Sequence, residues 1–202
     1  MMKKSVVLVG LSLVNMMAVA AGRFSPLGIS IEESTVAKQD SQYPDRHDYV
    51  YGWRLAFVSG AHSRMVGLAT AVFANNDASA GGYVGGLQTA ALFNTAGDCE
   101  LGAWQISGFY NKVSGDCNGL QACTFYNNVG GYFGGLQTAL YNEVKQETAG
   151  MQIGLLNRGG TAIGTQIGLL NFAKSLQGVQ LGLLNFVDDS MMTVFPVVRI
   201  GW

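Results

Sequence analysis

The chain has 202 residues, of which 12% are charged, 49% are hydrophobic and 28 are glycine. So little charge beside so much apolar content excludes a disordered chain, and a formal net charge of −1 is a poor match to nucleic acid. A plain soluble globule needs more surface charge, so the composition points to surface buried by stacking or facing lipid.

Taken in chain order, Met1 to Ala21 carry Lys3 and Lys4, an apolar run from Ser5 to Met17, and the small residues Ala18-Val19-Ala20-Ala21. This order predicts a secretory leader cleaved after Ala20 or Ala21. The run is interrupted by Asn15 and is shorter than the roughly 20 residues of a spanning helix. Without Lys3 and Lys4, ten basic residues face thirteen acidic ones, a formal charge of −3. The expected organisation is a signal peptide over 1–21, an N-terminal strand and polar connection over 22–50, and a β-repeat domain over 51–202. Apolar alternation at Leu27, Ile29 and Ile31 predicts a strand from Phe24 to Ile31. In a closed barrel that strand pairs with the last one, near Trp202. Glu32 to Asp48 reads as a long connection.

The rest of the chain is built from one recurring unit. Its sharpest form is G-x-Q-x-G-L-L-N: GMQIGLLN over Gly150 to Asn157, GTQIGLLN over Gly164 to Asn171 and GVQLGLLN over Gly178 to Asn185. Looser copies end at Asn94, Asn111, Asn127 and Asn142. The glutamines Gln88, Gln105, Gln121, Gln137, Gln152, Gln166 and Gln180 are spaced 17, 16, 16, 15, 14 and 14 residues apart, which sets the repeat register. A divergent copy from Gly67 to Asn75 has Ala69 in place of glutamine, and Gly52 to Val58 is more distant still. Such end units suit a capping role.

Each unit alternates with period two, the mark of a β-strand. Val179, Leu181 and Leu183 share one face, matched in the preceding unit by Ile163, Thr165, Ile167 and Leu169. A helix is disfavoured because each recurring glycine costs roughly 1 kcal/mol relative to alanine. Asn157-Arg158-Gly159-Gly160, Ala173-Lys174-Ser175 and Asp188-Asp189-Ser190 read as turns. No proline lies between Pro44 and Pro196, so extended pairing is uninterrupted there.

The fold class is therefore all-β, with two constructions open. The first is an up-and-down antiparallel barrel of about 10–12 short strands, its Val/Leu face toward lipid and its Gly/Gln face inward. The leader, the low charge, and girdles formed from Phe93, Tyr110, Tyr126, Tyr141, Phe172 and Phe186 suit it. The alternative is a parallel β-solenoid, in which the glutamines and asparagines of successive coils stack as hydrogen-bonded ladders. The one-unit period favours it, because antiparallel strands suit a two-unit repeat. The cysteines discriminate. Cys99 and Cys117 close matching Gly-Asp-Cys turns, which lie about 4.8 Å apart on neighbouring coils of a solenoid and roughly 30 Å apart in a barrel. The barrel reading expects them unpaired, with Cα atoms beyond the roughly 7 Å bridging limit.

From about Tyr51 to Trp202, the tandem unit and the ending Phe195-Pro196-Val197-Val198-Arg199-Ile200-Gly201-Trp202 resemble the bacterial surface-repeat family first named from leptospiral proteins. The resemblance implies an exported protein of the outer membrane or cell surface. It carries no catalytic residue over, and the copies before Asn127 depart from its pattern.

No constellation of catalytic chemistry stands out. His47 and His62 have no partners at metal or triad spacing. Cys123 reads as a small buried hydrophobe. Asp98, Glu100 and Asp116 are explained by their turns, and no G-x-S-x-G, phosphate loop or calcium loop is present. The expectation is a protein that is not an enzyme and has no metal or cofactor. Its function is structural or interactive at the outer membrane, or else binding of a protein or glycan partner by a secreted soluble solenoid.

Overall fold

The computed structural model describes residues 27–30, 49–56, 59–60, 64–77 and 83–202. All regular structure there is β-strand: β1 (Leu27–Ser30), β2 (Tyr49–Ala56), β3 (Ser59–Gly60), β4 (Arg64–Ala71), β5 (Ala74–Asp77), β6 (Tyr83–Ala90), β7 (Phe93–Ala96) and β8 (Asp98–Ser107). Then follow β9 (Tyr110–Val113), β10 (Cys117–Ala122), β11 (Tyr126–Val129), β12 (Phe133–Thr138), β13 (Tyr141–Ile153), β14 (Leu156–Ile167), β15 (Leu170–Val187) and β16 (Val194–Gly201).

The strands wind into a parallel β-solenoid. Even-numbered strands β2 to β12 stack on one another and odd-numbered strands β3 to β11 do the same, so each coil is a longer strand, a corner and a shorter strand. From β13 onward the short strand of one coil runs into the long strand of the next. The first half of β13 pairs with β11 and its second half with β12. The expected turns at Asn157–Gly160 and Ala173–Ser175 accordingly lie inside β14 and β15 as extended backbone, while Asp188 to Ser190 does form the turn before β16.

The antiparallel barrel is thus overturned in favour of the solenoid. Among the described strands only β15 and β16 pair antiparallel. The reason lies in the repeat: stacking one unit on the next in the same direction sets Gln137 against Gln152 and Asn142 against Asn157, whereas reversal would set each amide against an unlike neighbour. The expected N-terminal strand exists as β1, but it pairs parallel with β2 and not with the last strand. The connection from Glu32 to Asp48, His47 and His62 lie outside the described residues. The six aromatic residues form no opposed girdles. Phe93, Tyr110, Tyr126 and Tyr141 stack in one column, while Phe172 lies against Phe186 with ring centroids 4.5 Å apart.

The end of the sheet is closed by β16. It carries Pro196 and a left-handed backbone at Val197 (φ 66°), next to a bulge where Leu183 has no partner. Proline and a kink blunt the free edge that would otherwise template further strands.

Candidate functional site

The narrow coil has no room for a core of large apolar side chains. Among the fully buried side chains of the described residues Phe133 is the one large hydrophobe, and the other bulky ones are the seven glutamines. All seven, with Asn94, Asn111, Asn127, Asn142, Asn157, Asn171 and Asn185, are buried, so the repeat-register residues form the interior.

They form two ladders of opposite polarity. Each glutamine Nε2 donates to the Oε1 of the previous coil, at 2.7 to 2.9 Å from Gln105 through Gln180. Each asparagine Nδ2 donates to the Oδ1 of the next coil, at 2.8 to 3.0 Å from Asn75 through Asn185. The second asparagine N–H reaches a main-chain carbonyl at the corner, as in Asn142 to Ile153 at 2.8 Å and Asn157 to Ile167 at 2.8 Å. Buried amides are tolerated because their hydrogen bonds are satisfied coil by coil. The rule fails at the C-terminal end, where Gln180 Oε1 and Asn185 Nδ2 are buried without a partner beneath β16.

Two glycine positions make the close stacking possible, and sequence reading missed the reason for one. Two residues before every ladder glutamine but Gln105, which follows Ala103, a glycine adopts positive φ, from Gly86 to Gly178, and a Cβ on Gly164 would lie 2.1 Å from the Gly150 carbonyl oxygen. Two residues after it, Gly168 and Gly182 turn the corner, where a Cβ would crowd the Asn157 or Asn171 amide.

Since amides and small residues fill the inside, the apolar residues of the unit point out. The expected register holds: Thr165 opposes Val179 and Ile167 opposes Leu181, while Gln180 is buried on the other side. One outward column runs from Trp53 through Leu68, Leu87, Trp104, Leu120, Leu136, Met151 and Thr165 to Val179. A second runs in the same way from Leu55 to Leu181. Phe109, Phe125, Leu140, Leu155 and Leu169 line the adjoining corner, all exposed, with the two phenylalanine rings stacked at 4.9 Å. No charged residue occurs in these columns.

The opposite side of the corner is polar. A shallow groove of about 960 Å³ is lined by Tyr141, Glu143, Lys145, Arg158 and Lys174. Tyr126 donates its hydroxyl proton to Glu143, and Asn128 Nδ2 lies 3.1 Å from the same carboxylate. Burial, with Glu143 adding to it, pushes the Tyr126 phenol well above its ordinary range.

Cys99 and Cys117 are brought together rather than kept apart. They are register partners on β8 and β10, both buried as free thiols. Their hydrogen bond and burial raise the Cys99 pKa well above its ordinary value. Adjacent parallel strands lie about 4.8 Å apart, inside bridging range. Cys123 is half-buried and donates to Asn127 Oδ1 at 3.2 Å. Among the described residues no three His, Cys, Asp or Glu side chains are grouped to hold a metal ion, and no helix is long and apolar enough to cross a membrane. Asp98 and Asp116 each tie their coil to the next, accepting from the Asp116 and Tyr132 backbone N–H at 2.9 and 2.7 Å.

Compared with family models, with curated proteins and with solved structures, the chain matches none.

Proposed function

We propose that this chain is an exported scaffold of the cell surface or outer membrane that works by association, not catalysis, and that its outward apolar columns are the working surface. The observation that carries the reading is the charge-free face running through nine successive coils, from Trp53 to Val179. Contiguous exposed apolar patches beyond a few hundred Å² mark interaction sites. The leader and the likeness of the repeat to the surface-repeat family support export. The groove beside Tyr141 has no activated nucleophile in its lining and gives catalysis no comparable support.

Fractionation of a Gram-negative host expressing the full chain tests this. The expected product lacks its leader, cofractionates with the envelope and is released by carbonate without detergent, as for a peripheral protein. Substitution of exposed Leu155 by glutamate should weaken the association made through that face, read by cross-linking in the envelope fraction, with the β circular dichroism unchanged. Retention through carbonate, or indifference to Leu155→Glu, refutes the reading.

A further inference from the structure

We infer that the partner of the apolar face is a second copy of this chain, packed face to face about a two-fold axis. This rests on the reading of that face as the working surface and names its occupant. Three observations select a copy.

The first is area. Nine coils at about 4.8 Å, crossed by three outward columns at about 6.6 Å each, give a face of roughly 40 by 20 Å, or about 800 Å². That is the area per partner of a standard stable interface.

The second is pitch. The outward side chains form ridges repeating once per coil, and the register is continuous from Leu136 through Met151 and Thr165 to Val179. Ridges of one solenoid enter the grooves of another over the whole length only if both have the same spacing, which an identical copy guarantees. The face is also free of charge, so a two-fold axis brings no like charges together within it.

The third is the border. Along one edge of this face stand Asp98, Asp116 and Glu147, and beyond the corner on the other edge stand Lys145, Arg158 and Lys174 beside Glu143. A border that carries both signs gives anionic headgroups no uniformly cationic rim, which a peripheral apolar surface bound to such lipid would present.

The test measures the mass of the purified full chain, after export, by size-exclusion chromatography with light scattering in detergent-free buffer. The expected result is twice the monomer mass. Ile106→Glu and Ile153→Glu alter exposed outward side chains, and each places two unpaired carboxylates in an isologous interface. Each should weaken dimerisation at least about 100-fold while circular dichroism and thermal midpoint stay near those of the parent. Lys174→Glu, in the polar groove, should leave the dimer intact. A dimer that survives both isoleucine substitutions overturns the inference by placing the interface elsewhere. A monomeric parent that sediments with neutral phosphatidylcholine vesicles, and loses this with Ile153→Glu, overturns the copy while leaving the apolar face as the working surface. A monomeric parent whose variants match it in mass and in vesicle binding overturns both.

Discussion

The glutamine ladder makes a prediction in which the same substitution has different costs at two positions. Gln152 donates to Gln137 at 2.8 Å and accepts from Gln166 at 2.7 Å. Gln152→Leu therefore strands one buried oxygen on Gln137 and one N–H on Gln166. At roughly 1–3 kcal/mol for each unsatisfied buried group, the expected loss is about 2–6 kcal/mol. Gln180 donates to Gln166 at 2.7 Å, but its own Oε1 already lacks a partner. Gln180→Leu strands one oxygen and removes another, so its hydrogen-bond cost is about zero. Urea denaturation of both variants, followed by far-UV circular dichroism, should show Gln152→Leu destabilised by several kcal/mol more than Gln180→Leu. Gln152→Glu adds a pH signature. Burial raises the folded pKa of the new carboxyl above the roughly 4.3 of the unfolded chain, so the folded state favours its protonated form. The variant should approach parental stability below about pH 4 and lose stability as pH rises towards the folded pKa. Equal costs for the two leucine variants would refute the ladder as the source of interior stability.

Two further outcomes follow from the same geometry. Gly164→Ala forces a Cβ to within 2.1 Å of a backbone oxygen at φ +127°, whereas a Cβ added to Gly102, at φ +83°, would have nothing within 4 Å; thermal melts should show Gly164→Ala far more damaging than Gly102→Ala, whose cost is the roughly 1–2 kcal/mol of left-handed strain. For Tyr126, burial and then Glu143 raise the phenol pKa in the fold, so its contribution is fully present below the unfolded value of about 10 and is lost as pH rises above it; Tyr126→Phe should flatten the alkaline fall in stability, and an unchanged profile would contradict the shift.

What the sequence revealed was the unit, its period and its inward and outward sides, because period-two alternation depends only on local backbone. Strand direction was not legible the same way, since Val179, Leu181 and Leu183 share a face in either a parallel or an antiparallel sheet. The discriminating signals were present but outweighed. The one-unit period and the matching Gly-Asp-Cys turns both belong to a solenoid, and Cys99 does oppose Cys117. The aromatic residues misled because a column of stacked rings and a girdle at a membrane boundary look alike when only spacing is visible. The glycine two residues before Gln152, Gln166 and Gln180 is legible as part of the unit, yet its positive φ and its contact with the preceding carbonyl arise only once coils are stacked. The groove residues Glu143 and Arg158 were missed for a related reason: they oppose each other from different repeats, and no motif within one unit joins them.

Amides share the interior with small and medium apolar residues while most of the large hydrocarbon side chains lie outside, and coil size explains it. A coil of 14 to 19 residues closes around a space that one glutamine, one asparagine and a few small or medium apolar residues such as Val113, Val129 and Val144 fill. Satisfied amides supply cohesion there through hydrogen bonds repeated along the axis, so folding makes little demand on the identity of the outward side chains. Met151, Thr165 and Val179 occupy equivalent outward positions in three successive coils, while the inward residue beside them is glutamine in all three. Variation outside with constancy inside is what separate demands would produce: the ladders hold the fold, and the outward columns answer to whatever they touch. A surface relieved of folding duty but kept free of charge through nine coils is what the proposed association would maintain, since in isolation such a surface would only lower solubility.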